Sequence, residues 1–217
     1  MSEDNVVPVR ILRDMVSNDA WAGLTRCPRT YQPDRRLLEQ GTPGTFVLAL
    51  ISGLVKVIRR DRDGAERLLA FRGPGEILGE MALQHGAGRL ADVWTMSVCK
   101  VSWVPAEDFR RFVDDHKLTG PLVELAVNRL MVQTTAHDGA VLERLATALL
   151  RLVEVSQGQL SFSLTRQELA QHIGVGRKAV AKALEQLGPE CVQGGKGHIT
   201  VIDVAALRAI LGVSVQT

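Results

Sequence analysis

Three basic residues, Arg177, Lys178 and Lys182, stand at the start of a segment whose apolar members Val180, Ala183, Leu184 and Leu187 recur at helical spacing. A helix built on that pattern buries one side and offers the cations on the other. Basic side chains near the N-terminus of such a helix suit duplex DNA, because phosphates attract them and base edges accept their hydrogen bonds. A second group, Gly79, Glu80, Met81 and Ala82 with Arg89 beyond a loop, suggests different chemistry. A short helix opening after a glycine presents free backbone N–H groups, which favour an anion. Arg89, returning to the same place, can grip a phosphate with two parallel hydrogen bonds. The Glu80 carboxylate can accept from a sugar hydroxyl. On spacing alone, a direct Glu80–Arg89 ion pair explains the two residues equally well.

The elements that must position the first group run from Leu164 to Leu187. Thr165 and Glu168 have the spacing of a capping box, in which each side chain satisfies the other's backbone N–H. Leu169, Ala170 and Ile173 follow on one helical face. Gly174-Val175-Gly176 interrupts the pattern where a tight turn needs positive φ, and Gly188-Pro189 ends the second helix. Cys191-Val192 and His198–Ile202 flank Gly194-Gly195-Lys196-Gly197, a hairpin with a lysine at its tip. From Asp138 as N-cap, a scaffold helix over 141–155 places Leu142, Leu145, Leu149 and Leu152 at core spacing, and a last helix covers 204–211. This is a winged helix-turn-helix pattern.

The second group sits in a region of short strands. Alternating apolar segments between Thr30 and Val104 are broken by Gly41–Gly44, Ser52-Gly53, Asp63-Gly64 and Gly73–Gly75. That spacing predicts a jelly-roll-like β-barrel, with a hairpin at Asp63-Gly64. A helix over 106–116 precedes a longer one capped by Thr119. The longer helix carries two apolar stripes, Leu122, Leu125 and Val132 on one, Val123, Val127 and Leu130 on the other. One stripe covers the helix's own domain and the other meets a partner, most simply a second copy. The dimer seam is assigned to Leu122, Leu125, Arg129 and Val132. Burial of both stripes in one core is the alternative. The fold class expected is α+β, divided into 1–117, 118–137 and 138–217.

Composition sets limits. A chain of 217 residues with net charge +2 is consistent with two domains, and its basic character is local rather than global. Three cysteines far apart, with no CxxC, write no zinc or iron–sulfur site and suit a reducing cytosol. His85, His116, His137, His172 and His198 show no ligand spacing with one another. The N-terminus reads as no signal peptide and no apolar run spans a bilayer, so a cytoplasmic protein is expected. The chain contains no GxSxG, HExxH or Walker loop, and enzyme chemistry is not expected.

PGEILGEMAL with the returning Arg89, and LTRQELAQHIGVGRKAV, together resemble the cAMP receptor protein / fumarate–nitrate reductase regulator (CRP/FNR) family of bacterial transcription factors. The resemblance extends over nearly the whole chain. It implies a cyclic-nucleotide-binding β-barrel, a long dimerisation helix and a C-terminal winged helix. By that resemblance Glu80 holds the ribose 2′-hydroxyl, Arg89 the cyclic phosphate, and Gly79 with the amide of Met81 or Ala82 the backbone part of the cradle. Gln133, Thr134 and Thr135 stand where family members bring side chains to the ligand's base. Leu90 replaces a hydroxyl that contacts the phosphate in cAMP receptors, at about 1.5–3 kcal/mol per lost bond to a charge, and Asp92 can compete for Arg89.

The same resemblance places Arg177, Lys178 and Lys182 at base edges, with Arg177 best suited to guanine. Thr165, Arg166, Lys196 and His198 would contact phosphates. Lys178 stands where a glutamate is common and Lys182 where an arginine is, which implies a target unlike the usual half-site. Gly176 replaces a hydroxyl cap. The expected protein is a homodimeric regulator whose partners are double-stranded DNA and RNA polymerase. It needs no metal or covalent cofactor, and cAMP is its allosteric ligand. A constitutive regulator with an empty or differently filled pocket is the alternative, and an architectural DNA-compacting protein is a third reading.

Overall fold

A computed structural model describes residues 11–85 and 88–212. The N-terminal stretch around Val6–Pro8 and the side chains of His85 and Thr135, all of which enter the sequence analysis, lie outside that description. The described chain forms two compact units, residues 11–131 and residues 132–212.

The first unit begins with a 3₁₀ turn, Leu12–Met15, and helix α1, Asn18–Leu24. Strands β1 (Pro28–Tyr31), β2 (Arg36–Leu38), β3 (Phe46–Ser52), β4 (Val55–Arg60), β5 (Glu66–Arg72) and β6 (Ile77–Leu78) follow. Helix α2 (Glu80–His85) then leads to strands β7 (Asp92–Thr95) and β8 (Cys99–Pro105) and helices α3 (Ala106–Asp115) and α4 (Thr119–Thr135). Two antiparallel four-stranded sheets result, ordered β1-β8-β3-β6 and β2-β7-β4-β5.

Strand β3 explains the layering. Its continuous apolar run is buried on both faces. Leu48 and Leu50 point between the sheets with Leu38, Val55, Leu78, Val93 and Val101. Val47 and Ala49 point the other way, into a second core with Ile77, Val104, Leu24, Phe109, Leu122 and Leu125. The β4–β5 hairpin turns at Gly64, which takes φ +83° and donates to the Asp61 carbonyl at 3.0 Å.

The second core corrects the dimer seam assigned above. Leu122 and Leu125 are each 4% exposed, covering the outer face of β3, β6 and β8, while Val123, Val127 and Leu130 are 55%, 50% and 61% exposed. The physical reason is that a sheet face of Val47, Ala49, Ile77 and Val104 has to be covered, and burying each leucine over it contributes about 1.5–3 kcal/mol. Arg129 points into the same unit, as described below, and Val132 is half-buried. Both stripes buried in one core is likewise not what is found.

The second unit comprises helix α5 (Val141–Val155), strand β9 (Ser161–Phe162), helices α6 (Arg166–Ile173) and α7 (Arg177–Leu187), strands β10 (Val192–Gly195) and β11 (His198–Val201), and helix α8 (Val204–Ile210). Its sheet order is β10-β11-β9. Leu145, Leu149 and Leu152 of α5 are fully buried with Leu169, Ile173 and Ile199. The N-cap of α5 is Ala140 rather than Asp138, because the Glu143 carboxylate reaches back to accept from the Ala140 N–H at 3.0 Å. Among the described residues no helix is long and apolar enough to cross a membrane.

Candidate functional site

Strand β6 pairs with β3, Leu48 opposite Leu78, and delivers Gly79 to the head of α2 at φ +88°. A Cβ at Gly79 would overlap a guanidinium nitrogen of Arg89 and approach Leu38 Cδ1 at 2.9 Å, so only glycine allows this passage. Arg89 is held at both levels. Its N–H donates to the Thr42 carbonyl at 2.8 Å and its carbonyl accepts from the Gly41 N–H at 2.8 Å. Its side chain, buried, donates from Nη1 to the Gly79 carbonyl at 2.8 Å and from Nη2 to the Phe46 carbonyl at 2.5 Å. The guanidinium lies 4.7 Å from the centre of the Phe46 ring, which Trp103 backs at 4.5 Å.

Among the described residues Arg89 makes no ion pair. Burial pushes its guanidinium below the ordinary arginine value, and the nearby charge of Glu80 opposes that shift. A buried cation met only by carbonyl dipoles and an aromatic face is a place where one negative charge is stabilised.

Glu80 does not pair with Arg89. Its Oε1 accepts from Arg129 Nη1, and Arg129 Nη2 pairs with Glu76 Oε2 at 2.9 Å and reaches the Ile77 carbonyl at 3.3 Å. Glu76, almost fully buried, also pairs with Arg72 Nε at 3.2 Å and accepts from the Gly73 N–H at 3.2 Å. Burial works against the charge of Arg129, but Glu80 and Glu76 together outweigh it and hold the guanidinium above its ordinary value. Arg129 Nε is buried and has no hydrogen-bond partner among the described residues. Glu80 Oε2 takes no hydrogen bond from a described residue.

Asp92 does not compete for Arg89 either. Its carboxylate accepts from the Gln40 N–H at 2.7 Å and pairs with Arg60 at 2.9 Å. Ala82 is buried and Met81 half-buried, whereas Leu90 is 48% exposed. Gln133 and Thr134 belong to the second unit, the former half-buried and the latter exposed. A cavity of about 330 Å³ lies beside Ala82, Leu83, Gly44 and Arg110, but neither Glu80 nor Arg89 lines it.

In the second unit the capping box forms, with the Glu168 N–H on Thr165 Oγ1 at 3.1 Å and the Thr165 N–H on Glu168 Oε2 at 2.8 Å. Gly174 ends α6 in the left-handed region, and a Cβ there would meet the His137 ring at 2.8 Å. Arg177, Lys178 and Lys182 are exposed on α7 while Val180, Ala183, Leu184 and Leu187 are buried. Gly176 is the N-cap and supplies no side-chain bond.

The β10–β11 hairpin presents exposed Lys196 beside Gly197, whose carbonyl accepts from the Leu164 N–H at 3.0 Å. That bond brings the hairpin tip to the start of α6, so Thr165, Arg166, Lys196 and exposed His198 are gathered near one end of the unit. His198 Nε2 meets Ser161 Oγ at 2.5 Å.

Comparisons with known proteins match both units. A family model described as "Cyclic nucleotide-binding domain" matches residues 28–116, and one described as "Crp-like helix-turn-helix domain" matches residues 143–210. The chain is 31% identical over 188 residues to a cyclic AMP receptor protein of Thermus thermophilus, covering 84% of this chain and 87% of that one. It is 28% identical to a CRP-like cAMP-activated global transcriptional regulator of Mycobacterium tuberculosis, over 78% of this chain and 81% of that one. The crystal structure of a CRP-family transcriptional regulator from Thermus thermophilus superposes with a TM-score of 0.68 at 21% identity, covering 87% and 98% of the two chains.

The chain belongs to the CRP/FNR family.

It is therefore a DNA-binding transcription regulator with a cyclic-nucleotide-binding domain, and the relatives it matches are regulators rather than enzymes. For this CRP/FNR chain, sequence reasoning missed Glu76, Phe46 and the inward role of Arg129. One signal for Arg129 was available, since a charged residue interrupting an apolar stripe has to meet a partner where the stripe is buried. Glu76 carried none. Arg144 was also missed; it donates from Nη1 to the Ile173 carbonyl at 3.3 Å at the C-terminal end of α6.

Proposed function

We propose that the chain acts as a homodimer whose first unit binds cAMP and whose second unit's affinity for DNA depends on that ligand. One observation carries the reading: among the described residues Arg89 is a buried guanidinium without a carboxylate partner, and Glu80 close by keeps one oxygen unengaged. A cyclic phosphodiester supplies one negative charge to Arg89, and its ribose hydroxyl donates to Glu80 Oε2. Gly79, Met81 and Ala82 would line the phosphate side, with Leu90 contributing no hydroxyl.

Exposed Val123, Val127 and Leu130 on α4 support self-association of two copies about a two-fold axis. Arg177, Lys178 and Lys182 would read base edges in the major groove, while Thr165, Arg166, Lys196 and His198 would hold phosphates. The ligand acts through a difference in its affinity for two states of the dimer.

Calorimetry with cAMP and cGMP, paired with a selection of bound sequences from random duplex DNA, tests the reading. Heat with cAMP together with a cAMP-dependent change in DNA affinity supports it. Absence of heat from both nucleotides, with sequence-selective DNA binding retained, overturns the effector and leaves a constitutive regulator.

A further inference from the structure

From the rings beside Arg89 we infer that Phe46, backed by Trp103, is a positioning residue of the effector site, which sets the plane of the Arg89 guanidinium and leaves its N–H edge to an anion. The inference rests on the effector reading given above. Strand β6 leaves β3 after the Leu48–Leu78 pair, and the fork of Arg89 spans the opening beyond it. Its Nη1 donates to the Gly79 carbonyl at 2.8 Å and its Nη2 to the Phe46 carbonyl at 2.5 Å. The Phe46 ring faces the same guanidinium at 4.7 Å. One residue therefore meets the cation twice, at an edge and over a face. Among the described residues two of the five guanidinium N–H groups are engaged, leaving three in the plane for phosphate oxygens.

Burial works against the charge of Arg89, and no carboxylate of a described residue pairs with it. A carboxylate would support the charge, but it would also occupy the donors that a phosphate needs. An aromatic face attracts a cation within about 6 Å without offering an oxygen, so it keeps the edge open. Trp103 steadies the ring. It stands opposite Leu48 in the β3–β8 ladder, on the inward face that Phe46 shares, and its ring lies 4.5 Å from that of Phe46 at 35°. That second contact limits how far Phe46 can turn from Arg89. Phe46 is half-buried and Trp103 is 49% exposed, so the contacts run from a buried cation out to the surface.

The test replaces Phe46 in the full chain by phenylalanine carrying one, two or three ring fluorines, which drain the negative face of the ring with little change of shape. Titration calorimetry with cAMP reads the result. Affinity is expected to fall stepwise with each fluorine, reaching a loss of about five- to thirtyfold at three. Phe46→Leu, which keeps the carbonyl and removes the ring, is expected to lose about as much, and Phe46→Tyr, which restores a ring, to stay within about threefold of the unsubstituted protein. Trp103→Leu is expected to cost about two- to tenfold. A packing role alone would leave affinity flat across the fluorine series, because those rings fill the same space. Should Phe46→Leu fail to fold, the fluorine series and Phe46→Tyr carry the test. Affinity indifferent to fluorine, with only Phe46→Leu weakened, overturns the inference and makes Phe46 a packing residue. No binding of cAMP by the unsubstituted protein removes the effector reading, and this one with it, whereas binding that ignores the fluorines removes this one alone.

Discussion

Gly79→Ala puts the tightest contact of the effector site under test. Two costs arise at that position. The residue sits at φ +88°, where a Cβ is disfavoured by roughly 1–2 kcal/mol. The new Cβ would also overlap the Arg89 guanidinium, which donates to the Gly79 and Phe46 carbonyls. If the displaced arginine keeps one of those bonds and loses the other, a further 1.5–3 kcal/mol or so is lost, the range for a hydrogen bond to a charged group. The sum is about 2.5–5 kcal/mol. For a unit on the order of 120 residues, with an unfolding entropy near 2.1 cal/mol/K per residue, that lowers Tm by roughly 10–20 °C.

Gly64→Ala is the matched control, since Gly64 has φ +83° but no atom within 4 Å of the added Cβ. It should meet the backbone cost alone, roughly 1–2 kcal/mol, and leave cAMP affinity unchanged. Gly79→Ala should in addition weaken cAMP by at least about tenfold, because Arg89 no longer presents its fork to the phosphate. Scanning calorimetry and titration calorimetry on the two variants read both effects. Equal stability losses, with nucleotide binding intact in Gly79→Ala, would refute the claim that Gly79 and Arg89 form one unit.

Three further expectations concern other parts of the molecule. Val127→Glu, on the exposed stripe of α4, should convert a dimer to monomer in sedimentation equilibrium with little loss of fold, whereas Leu122→Ala should cost about 2–5 kcal/mol of stability and leave the dimer in place. A dimer unaffected by Val127→Glu would move the seam elsewhere. Arg177→Ala should relax preference at one base pair, while Lys196→Ala should weaken all sequences alike and reduce the salt slope by about one; uniform loss in both would mean α7 is not the base-reading helix. Cys27 is exposed and Cys99 and Cys191 are buried, so a thiol reagent should modify one cysteine in the native protein and three after unfolding. Burial pushes both buried thiols above the ordinary range. Their contribution to stability is then complete below about pH 8.5, the unfolded thiol value, and is lost as pH rises toward the raised folded values; a pH slope unchanged in Cys99→Ala and Cys191→Ala would contradict this.

Much of the architecture was readable because it is encoded over short distances. The Thr165–Glu168 capping box, the left-handed Gly174 and the alternation of buried and basic residues on α7 are each set by neighbours three or four positions apart. The β4–β5 hairpin at Asp63-Gly64 is likewise a local matter of one positive φ. Strand limits moved by a residue or two, as for β8, which runs from Cys99 to Pro105 rather than from Lys100 to Val104.

What stayed hidden were choices between equivalent local options. Leu122 with Leu125, and Val123 with Val127, are apolar stripes of similar strength, and periodicity cannot say which one meets the barrel. Only the outer face of β3, β6 and β8 decides it. Glu80 had Arg89 nine residues away as its evident partner, yet its carboxylate goes to Arg129, almost fifty positions later in the chain. The amino-acid sequence by itself determined the local elements, a strand-rich region with a glycine-led helix and a helix-turn-helix with an exposed basic face, since hydrophobic period and turn chemistry act locally. The pairing of buried charges, and with it the freedom of Arg89, was decided by the tertiary structure, because an ion pair depends on which distant side chains the folded backbone brings within a few ångströms.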